Sequence, residues 1–262
     1  SDLTYLRENG IDDSGVSTDD TGAVTGLAFT EIKSPTDCSI LMYRDNVADL
    51  KLGPLEVSES LIADSKALLI SGTALAASPS REAVFVALEY ARAYGTPVAF
   101  DIDYRPYTWK SPEETAVYCH LVAEKSDIIL GTREEFDSME RFEQNVDRSD
   151  RYTAAKWFER GAKLVVIKHG KEGSIAYTQD GLEHRAPSYP AKVIKTFGAG
   201  DAYASGFLHG LMSGWDVARS MAFGGAAASI VISSHSCSDA MPTAKAVEDY
   251  IQRCERGEIT AG

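Results

Sequence analysis

One carboxylate, Asp201, lies within the stretch KTFGAGDAYASGF (195–207), where small residues precede apolar residues at helical spacing. Gly198, Ala199 and Gly200 leave backbone N–H groups free at the positive end of the following helix, which suits a phosphate or a developing oxyanion. The carboxylate in that first turn could accept a proton from an alcohol while the amides hold the group that the alcohol attacks. The pattern indicates phosphoryl transfer, although a tight turn with Asp201 as an ordinary helix cap would use the same residues.

Other catalytic and metal-binding patterns are not found in the sequence. The Gly-Ala-Gly-Asp turn is neither a Walker loop nor a G-x-G-x-x-G motif. The cysteines include no C-x-x-C pair, which argues against a zinc site and a disulfide framework, and the histidines show no ligand spacing. No nucleophile-elbow motif supports a Ser-His-Asp triad. We therefore interpret the cysteines as reduced thiols and the histidines as structural residues.

The elements that would position Asp201 alternate along the chain. Short apolar runs without polar alternation are followed by amphipathic helical patterns, which predicts a parallel sheet with helices on both faces. The predicted strands are 67–72, 97–103, 127–132 and 163–170. The predicted helices are 80–95, 111–125, 152–160, 199–213, 216–233 and 243–256. Ser80 is expected to cap the first of these helices and Gly95 to end it, and a hairpin with the turn Asp180-Gly181 is expected over 173–187.

The charge balance restricts the partners. The chain has 262 residues, of which 44% are hydrophobic, and this is enough to bury a large core. Lys and Arg number 26 against 39 Asp and Glu, and the formal net charge of -13 repels nucleic acid and anionic membranes alike. The first residues have no signal-peptide pattern, and no run approaches about 18 apolar residues. We expect a cytoplasmic protein that binds neither nucleic acid nor a membrane.

Five stretches together resemble a known family. KTFGAGDAYASGFLHGL is similar to the C-terminal signature of the ribokinase, or PfkB, family of carbohydrate kinases. FDIDYRPYTW (100–109) resembles the D-x-N-x-R segment of the family, and GTREEF (131–136) resembles its N-x-x-E segment. VVIKHGKEGS (165–174) resembles its nucleotide-side strand and loop, and AFGGAAASIVISSHSCSDAMPT (222–243) its adenine-side helix and closing loop. Matches in the same order over nearly the whole chain are more specific than a single motif.

The resemblance implies a fold, cofactors and roles. The fold would be a ribokinase-like, Rossmann-like α/β parallel-sheet sandwich made of residues 1–21 and 53–262, with a small β lid over 22–52. ATP and Mg²⁺ would be the cofactors, a monovalent cation is a further candidate, and a homodimer is expected. Asp201 would be the catalytic base, and Glu135 would organise Mg²⁺ through water unless it is an ordinary surface residue. The remaining implied positions are Gly198, Ala199 and Gly200 for the anion hole, and Lys168, Gly170 and Gly173 for ATP.

The substrate expected from the resemblance is a sugar acid. SGTALAASPSREAVF, FDIDYRPYTW, GTREEFD and KTFGAGD are most similar to members that phosphorylate the terminal hydroxyl of a sugar acid in myo-inositol catabolism. An acidic protein needs local cations for such a ligand, and Arg grips a carboxylate with two parallel hydrogen bonds. We predict substrate contacts from Arg44, Asp103 and Arg105, with solvated arginines as the alternative. A 2-dehydro-3-deoxygluconate kinase, a fructokinase and a catalytically silent sugar- or nucleotide-binding regulator remain alternative functions.

Several positions depart from the family pattern. The family usually has Asp where Lys195 stands, Asn at Asp103 and Thr132, and Thr at Lys168. Lys168 could contact phosphate or extend its charge into solvent. The glycines and alanines in helix 216–233 would accommodate adenine or a close helix packing. The N-terminal strand and Gly-Gly substrate motif of the family are not found, so the N-terminal part of the family fold is expected to be absent.

Overall fold

The computed structural model describes residues 2–34, 37–143 and 147–260. Its strands are β1 (Leu27–Ser34), β2 (Asp37–Tyr43), β3 (Leu68–Ser71), β4 (Val98–Asp101), β5 (Ile128–Thr132), β6 (Leu164–Lys168), β7 (Ser174–Thr178) and β8 (Glu183–Ala186). Its α-helices are α1 (Asp2–Glu8), α2 (Glu59–Asp64), α3 (Ser80–Tyr94), α4 (Pro112–Ala123), α5 (Arg133–Met139), α6 (Asp150–Glu159), α7 (Ala199–Met212), α8 (Val217–Ile232) and α9 (Ala244–Glu255).

The main sheet has the strand order β3-β4-β5-β6-β7-β8. The first four strands are parallel, which confirms the predicted parallel sheet. The predicted hairpin at 173–187 forms β7 and β8, which extend the same sheet antiparallel to β6. The sheet is therefore mixed, with an antiparallel edge on a parallel centre.

Apolar side chains cover both faces of the main sheet. This explains why apolar and polar residues do not alternate along its strands. On β5, Ile129 points into a core shared with α3, α4, α5 and α6, whereas Ile128 and Leu130 point into a core shared with α7 and α8. Phe100 and Trp157, both fully buried, belong to the first core. The result is the predicted three-layer α/β sandwich.

Helices α7 and α8 pack very closely on each other. A Cβ atom on Gly224 would lie 2.7 Å from the carbonyl oxygen of Tyr203, and one on Gly206 would lie 3.0 Å from the Cα of Gly224. Gly225 faces Tyr189 instead, at an ordinary contact distance of 3.7 Å. Of the two interpretations of the small residues in α8, helix packing therefore accounts for Gly224.

Local sequence patterns predict some of the helix ends correctly and others not. Gly95 ends α3 with φ of +69°, as predicted. The prediction for Ser80 is wrong, because α3 follows Pro79 without a side-chain cap and the Ser80 hydroxyl donates to the carbonyl of Ala74 at 2.8 Å. Helices α2 and α5 have six and seven residues, too few for a helical period to be recognised in the sequence.

Strands β1 and β2 form a separate two-stranded antiparallel sheet within the segment 22–52. Pro35 and Thr36 of that segment lie outside the described residues, as do residues 1, 144–146 and 261–262 of the predicted kinase domain. Four apolar residues occupy one face of this small sheet and are each more than half exposed: Leu27, Phe29, Leu41 and Tyr43. Among the helices that the structure describes, none has the length and apolar character needed to cross a membrane.

Candidate active site

The polar residues singled out in the sequence meet at one edge of the main sheet. Strands β3 to β6 are parallel, so their carboxyl ends lie at the same edge, where ligands of such sheets bind. The N-terminus of α7 lies at this edge too, because the Nζ of Lys168, the last residue of β6, is 3.6 Å from the position of a Cβ on Gly200. The structure thus joins the Gly-Ala-Gly turn to the end of β6.

The turn before α7 depends on glycine. Gly198 is the N-cap residue of α7 and has φ of +79°, a conformation that L-residues with a side chain rarely adopt. A Cβ there would also lie 3.2 Å from the Sγ of Cys237 and 3.3 Å from a methyl of Val231. No side chain caps α7, so the amides of its first turn, Ala199 and Gly200 included, remain available to an anion.

Asp201 lies in the first turn of α7 and is exposed to solvent. The N-cap position belongs to Gly198, so the alternative of Asp201 as a capping residue is wrong. Partial desolvation of the carboxyl group raises the pKa of Asp201, although the residue keeps contact with solvent. The negative charge of Asp103 raises this pKa further, and the positive charges of Arg105 and Lys168 lower it. A carboxylate with a raised pKa is a better proton acceptor than an ordinary one.

Lys168 and Asp101 form a buried ion pair behind this turn, with Nζ and Oδ1 3.3 Å apart. Burial raises the pKa of Asp101 to about 6, against the opposing charge of Lys168. Burial alone would lower the pKa of Lys168, but the carboxylates of Asp101, Glu135 and Asp103 outweigh it and the pKa is raised. The ammonium therefore stays charged and does not extend into solvent, which removes one of the two interpretations of Lys168.

Asp103 lies two residues after Asp101, beyond the end of β4, and has its own partners. Its carboxylate accepts a hydrogen bond from the Ser71 hydroxyl at 3.1 Å and pairs with Arg105 at 2.6 Å. The φ of Asp103 is +40°, in a region where Asn and Asp are enriched among residues with side chains. Arg105 is thus already paired within the protein, and a ligand carboxylate would have to share it.

Glu135 is buried, so it is not an ordinary surface residue. It forms a capping box with Thr132 at the start of α5, in which one carboxylate oxygen accepts from the Thr132 amide at 2.8 Å. The other oxygen accepts from the amide of Tyr104 at 3.0 Å and lies 3.7 Å from Arg105. Glu135 therefore ties the loop after β4 to the end of β5.

Arg44 and the glycines near β6 lie around this cluster. Arg44, at the end of β2, pairs with Asp49. Burial raises the pKa of Tyr107, while Arg105 lowers it, Asp103 raises it and Arg44 lowers it, so both arginines act on the same side chain. Gly170 and Gly173 form the turn between β6 and β7, in which the Gly173 amide donates to the carbonyl of Gly170 at 3.1 Å.

Three residues at the site were not assigned a role from the sequence. Ser71 is the last residue of β3, and its hydroxyl donates to the carboxylate of Asp103. Its position as a polar residue at the end of a predicted strand could have indicated a role at the site. Cys237 lies behind Gly198, with its Sγ 3.6 Å from the carbonyl oxygen of Phe197. Lys195 is buried beside the same carbonyl. The Cys237 contact joins segments 40 residues apart and leaves no local pattern in the sequence.

The remaining features do not compete with this site. A depression of about 450 Å³ is lined by residues such as Pro97, Asp127 and Lys163 at the amino ends of the strands, the opposite edge of the sheet. In the ranges 2–34, 37–143 and 147–260 there is no group of three or more His, Cys, Asp or Glu side chains that could hold a metal ion.

The chain is similar to known proteins over nearly its whole length. The model for "pfkB family carbohydrate kinase" matches residues 3–244. The 5-dehydro-2-deoxygluconokinase of Geobacillus kaustophilus (strain HTA426) is 65% identical over 255 residues, which are 97% of this chain and 76% of that protein. A structure described as ribokinase II from E. coli, in complex with ATP and Mg²⁺, has a TM-score of 0.85 at 24% identity and covers 96% of this chain and 78% of that one. A fructokinase double mutant from Vibrio cholerae O395 bound to fructose, ADP and potassium has a TM-score of 0.82 at 18% identity, over 95% and 79% of the two chains.

Proposed function

Because the chain belongs to the pfkB family of carbohydrate kinases, we propose that it transfers the γ-phosphoryl group of ATP to the terminal hydroxyl of 5-dehydro-2-deoxy-D-gluconate. The products would be ADP and the 6-phosphate of the sugar acid, which places the enzyme in myo-inositol catabolism. The proposed substrate rests on the 65% identity to a 5-dehydro-2-deoxygluconokinase over 97% of this chain. Such a kinase works with the ATP of the cytoplasm, which supports a cytoplasmic location.

The proposed base is Asp201. The terminal hydroxyl gives its proton to the Asp201 carboxylate as its oxygen bonds to the γ-phosphorus, and the bond from that phosphorus to the bridging oxygen of ADP breaks. The exposed carboxylate, its raised pKa and the uncapped start of α7 support this assignment. Gly198, Ala199 and Gly200 would hold the transferring group with their backbone amides.

The nucleotide would lie beside the end of β6. Lys168 lies next to Gly200 and stays charged, so it is suited to a phosphate of ATP. Gly170 and Gly173 would line the nucleotide side. When Mg²⁺ is bound with ATP, it neutralises phosphate charge, and Glu135 would orient water near it. We do not propose a separate monovalent cation behind the anion hole, because the carbonyl oxygens of Phe197 and Val231 already accept hydrogen bonds from Lys195.

The sugar acid would lie between the cluster at the strand ends and the segment 22–52, which we propose acts as a lid. Asp103 would accept from a sugar hydroxyl, and Arg105 and Arg44 would bind the carboxylate in exchange for part of their present pairing with Asp103 and Asp49. Lid closure would exclude water and limit ATP hydrolysis.

We further propose a homodimer formed through the exposed apolar face of the small sheet, because a face of this kind on an edge-rich two-stranded sheet is rarely left in water. Phe29 and Tyr43 lie on that face with their ring centroids 5.7 Å apart. Light scattering should give the mass of two chains for the wild type and of one chain for Phe29→Ser. A single-chain mass for the wild type would refute this assembly.

The test of the function is ADP release with ATP, Mg²⁺ and a panel of 5-dehydro-2-deoxygluconate, 2-dehydro-3-deoxygluconate and fructose. We expect preference for the first sugar and a loss of at least about 10²-fold in kcat for Asp201→Asn, the lower range for removing a general base. Asp249→Asn, an exposed carboxylate on α9, is the matched control. Preference for another sugar would replace the substrate, and binding without ADP formation would favour a silent regulator.

A further inference from the structure

Lys195 is a buried cation immediately before the anion-hole turn. Only 2% of its surface is exposed. Its Nζ donates to the carbonyl oxygen of Phe197 at 2.6 Å and to that of Val231 at 3.3 Å. Within the described part of the chain, no carboxylate lies at ion-pair distance from it. A buried ammonium needs compensation, and here it comes from main-chain oxygens alone.

The end of helix α8 provides part of that compensation. Val231 and Ile232 are its last residues, at the negative end of the helix dipole, and the Val231 carbonyl also accepts from the amide of Ser234 at 3.1 Å. The Ile232 carbonyl accepts from the amide of Ile194 at 2.8 Å and from that of Lys195 at 3.3 Å. The segment before the anion hole is thus fixed to the end of α8 through both the backbone and the ammonium of Lys195.

The environment of Nζ is the one that proteins offer to a bare monovalent cation. Carbonyl oxygens, with no carboxylate, replace the hydration shell of potassium in selective sites, and an ammonium group has the same single charge. One of the two carbonyls belongs to Phe197, the residue directly before Gly198. A cation at this point therefore orients the peptide that leads into the anion hole.

We propose that the Nζ of Lys195 is a built-in substitute for a monovalent cation and makes this kinase independent of potassium. Lys195 is a positioning residue, because it acts through the Phe197 carbonyl and the Gly198 turn and does not touch the transferred group. The activity readout of this proposal rests on the proposed kinase function, whereas its stability readout needs no sugar.

The first experiment varies the cation. At constant ionic strength, the kcat of the wild type should change less than about twofold among potassium, ammonium, sodium and N-methyl-D-glucamine chlorides. Lys195→Ala should lose about tenfold or more in N-methyl-D-glucamine and regain about fivefold or more in potassium or ammonium, since the vacated space admits these ions. Lys195→Met fills that space without a charge and should not be rescued. Lys192→Ala, an exposed lysine nearby, should behave as the wild type.

The second experiment follows thermal unfolding without sugar or nucleotide. The melting temperature of Lys195→Ala should rise with potassium and not with N-methyl-D-glucamine, while those of the wild type and Lys195→Met respond equally to both. Potassium activation of the wild type above about fivefold would overturn the proposal. A folded Lys195→Ala variant would also overturn it if its kcat equals that of the wild type, or if no cation restores its kcat. If Lys195→Ala does not fold in any salt, full kcat in a folded Lys195→Met would overturn it. If the wild type turns over no sugar, the proposed function fails, and the unfolding profiles still decide this inference.

Discussion

Replacing Lys168 by Met tests the charge that the structure puts beside the anion hole. The Nζ lies 3.6 Å from the position of a Cβ on Gly200, close to where the γ-phosphoryl group would bind. A unit charge at about 4 Å contributes about 4 kcal/mol at an effective dielectric constant of about 20. About half of this is expected to be present already with bound ATP and not to affect the chemical step. The remaining ~2 kcal/mol corresponds to a loss of about 30-fold in kcat.

The same change alters Asp101, which loses the positive charge that lowers its pKa. In the wild type this pKa is about 6, above the ordinary value of 3.8. Because the folded state holds the proton more tightly, the stabilisation is fully present below 3.8 and is lost as the pH rises through about 6. In Lys168→Met the pKa should rise further, so the variant should unfold more readily at pH 8 than at pH 5.

The assay combines steady-state ADP release, ATP affinity by calorimetry and urea unfolding at both pH values. Lys163→Met changes an exposed lysine at the other end of β6 and should leave kcat unchanged. Asp101→Asn added to Lys168→Met should remove the extra pH dependence of stability without restoring kcat. A folded Lys168→Met with kcat within about threefold of the wild type would refute the reasoning, as would recovery of kcat in the double variant.

Three further predictions follow from the same contacts. In Asp103→Asn, the pKa of Asp201 should fall because a neighbouring negative charge is removed, so the acid limb of the kcat/KM profile should move to lower pH; an unmoved limb would contradict the role of Asp201 as the base. Gly198→Ala should cost about 1 kcal/mol or more in urea unfolding and also lower kcat, whereas Gly95→Ala, with a similar positive φ and open space around it, should cost stability alone. Gly224→Ala should lose about 1–3 kcal/mol of stability by overpacking against α7, while Gly225→Ala, with room for a methyl group, should be close to neutral; equal costs would show that the helix contact is not as close as described.

The sequence predicted the central strands well because their signal is local. The apolar runs at 97–103 and 127–132 differ from β4 and β5 by at most two residues at each end. Asp101 and Asp103 have different partners, which agrees with the prediction that they are not an acid/base pair, but Asp103 lies beyond β4 with φ of +40° and not in the extended chain from which that prediction was made. The pattern Thr132-x-x-Glu135 is also the sequence signature of a capping box, and the structure shows this role at the start of α5.

The other site contacts could not be predicted because they depend on tertiary placement. Nothing local to Lys168 distinguishes a lysine that reaches solvent from one held under Gly200 by Asp101. The partner of Lys195 at Val231 lies 36 residues further along the chain, in α8. The role of Asp201 as the base stays a prediction, although its position outside the cap now favours it.

The pair between Lys168 and Asp101 joins residues 67 positions apart in the chain, and Gly200 beside it comes later still. Long-range parallel pairings form slowly, because the loops between them must close first. Lys168 and the amides of α7 therefore come together only after most of the fold is complete. A chain still emerging from the ribosome would therefore not yet hold the groups proposed to bind ATP, and topology would act against wasteful hydrolysis before the proposed lid could close.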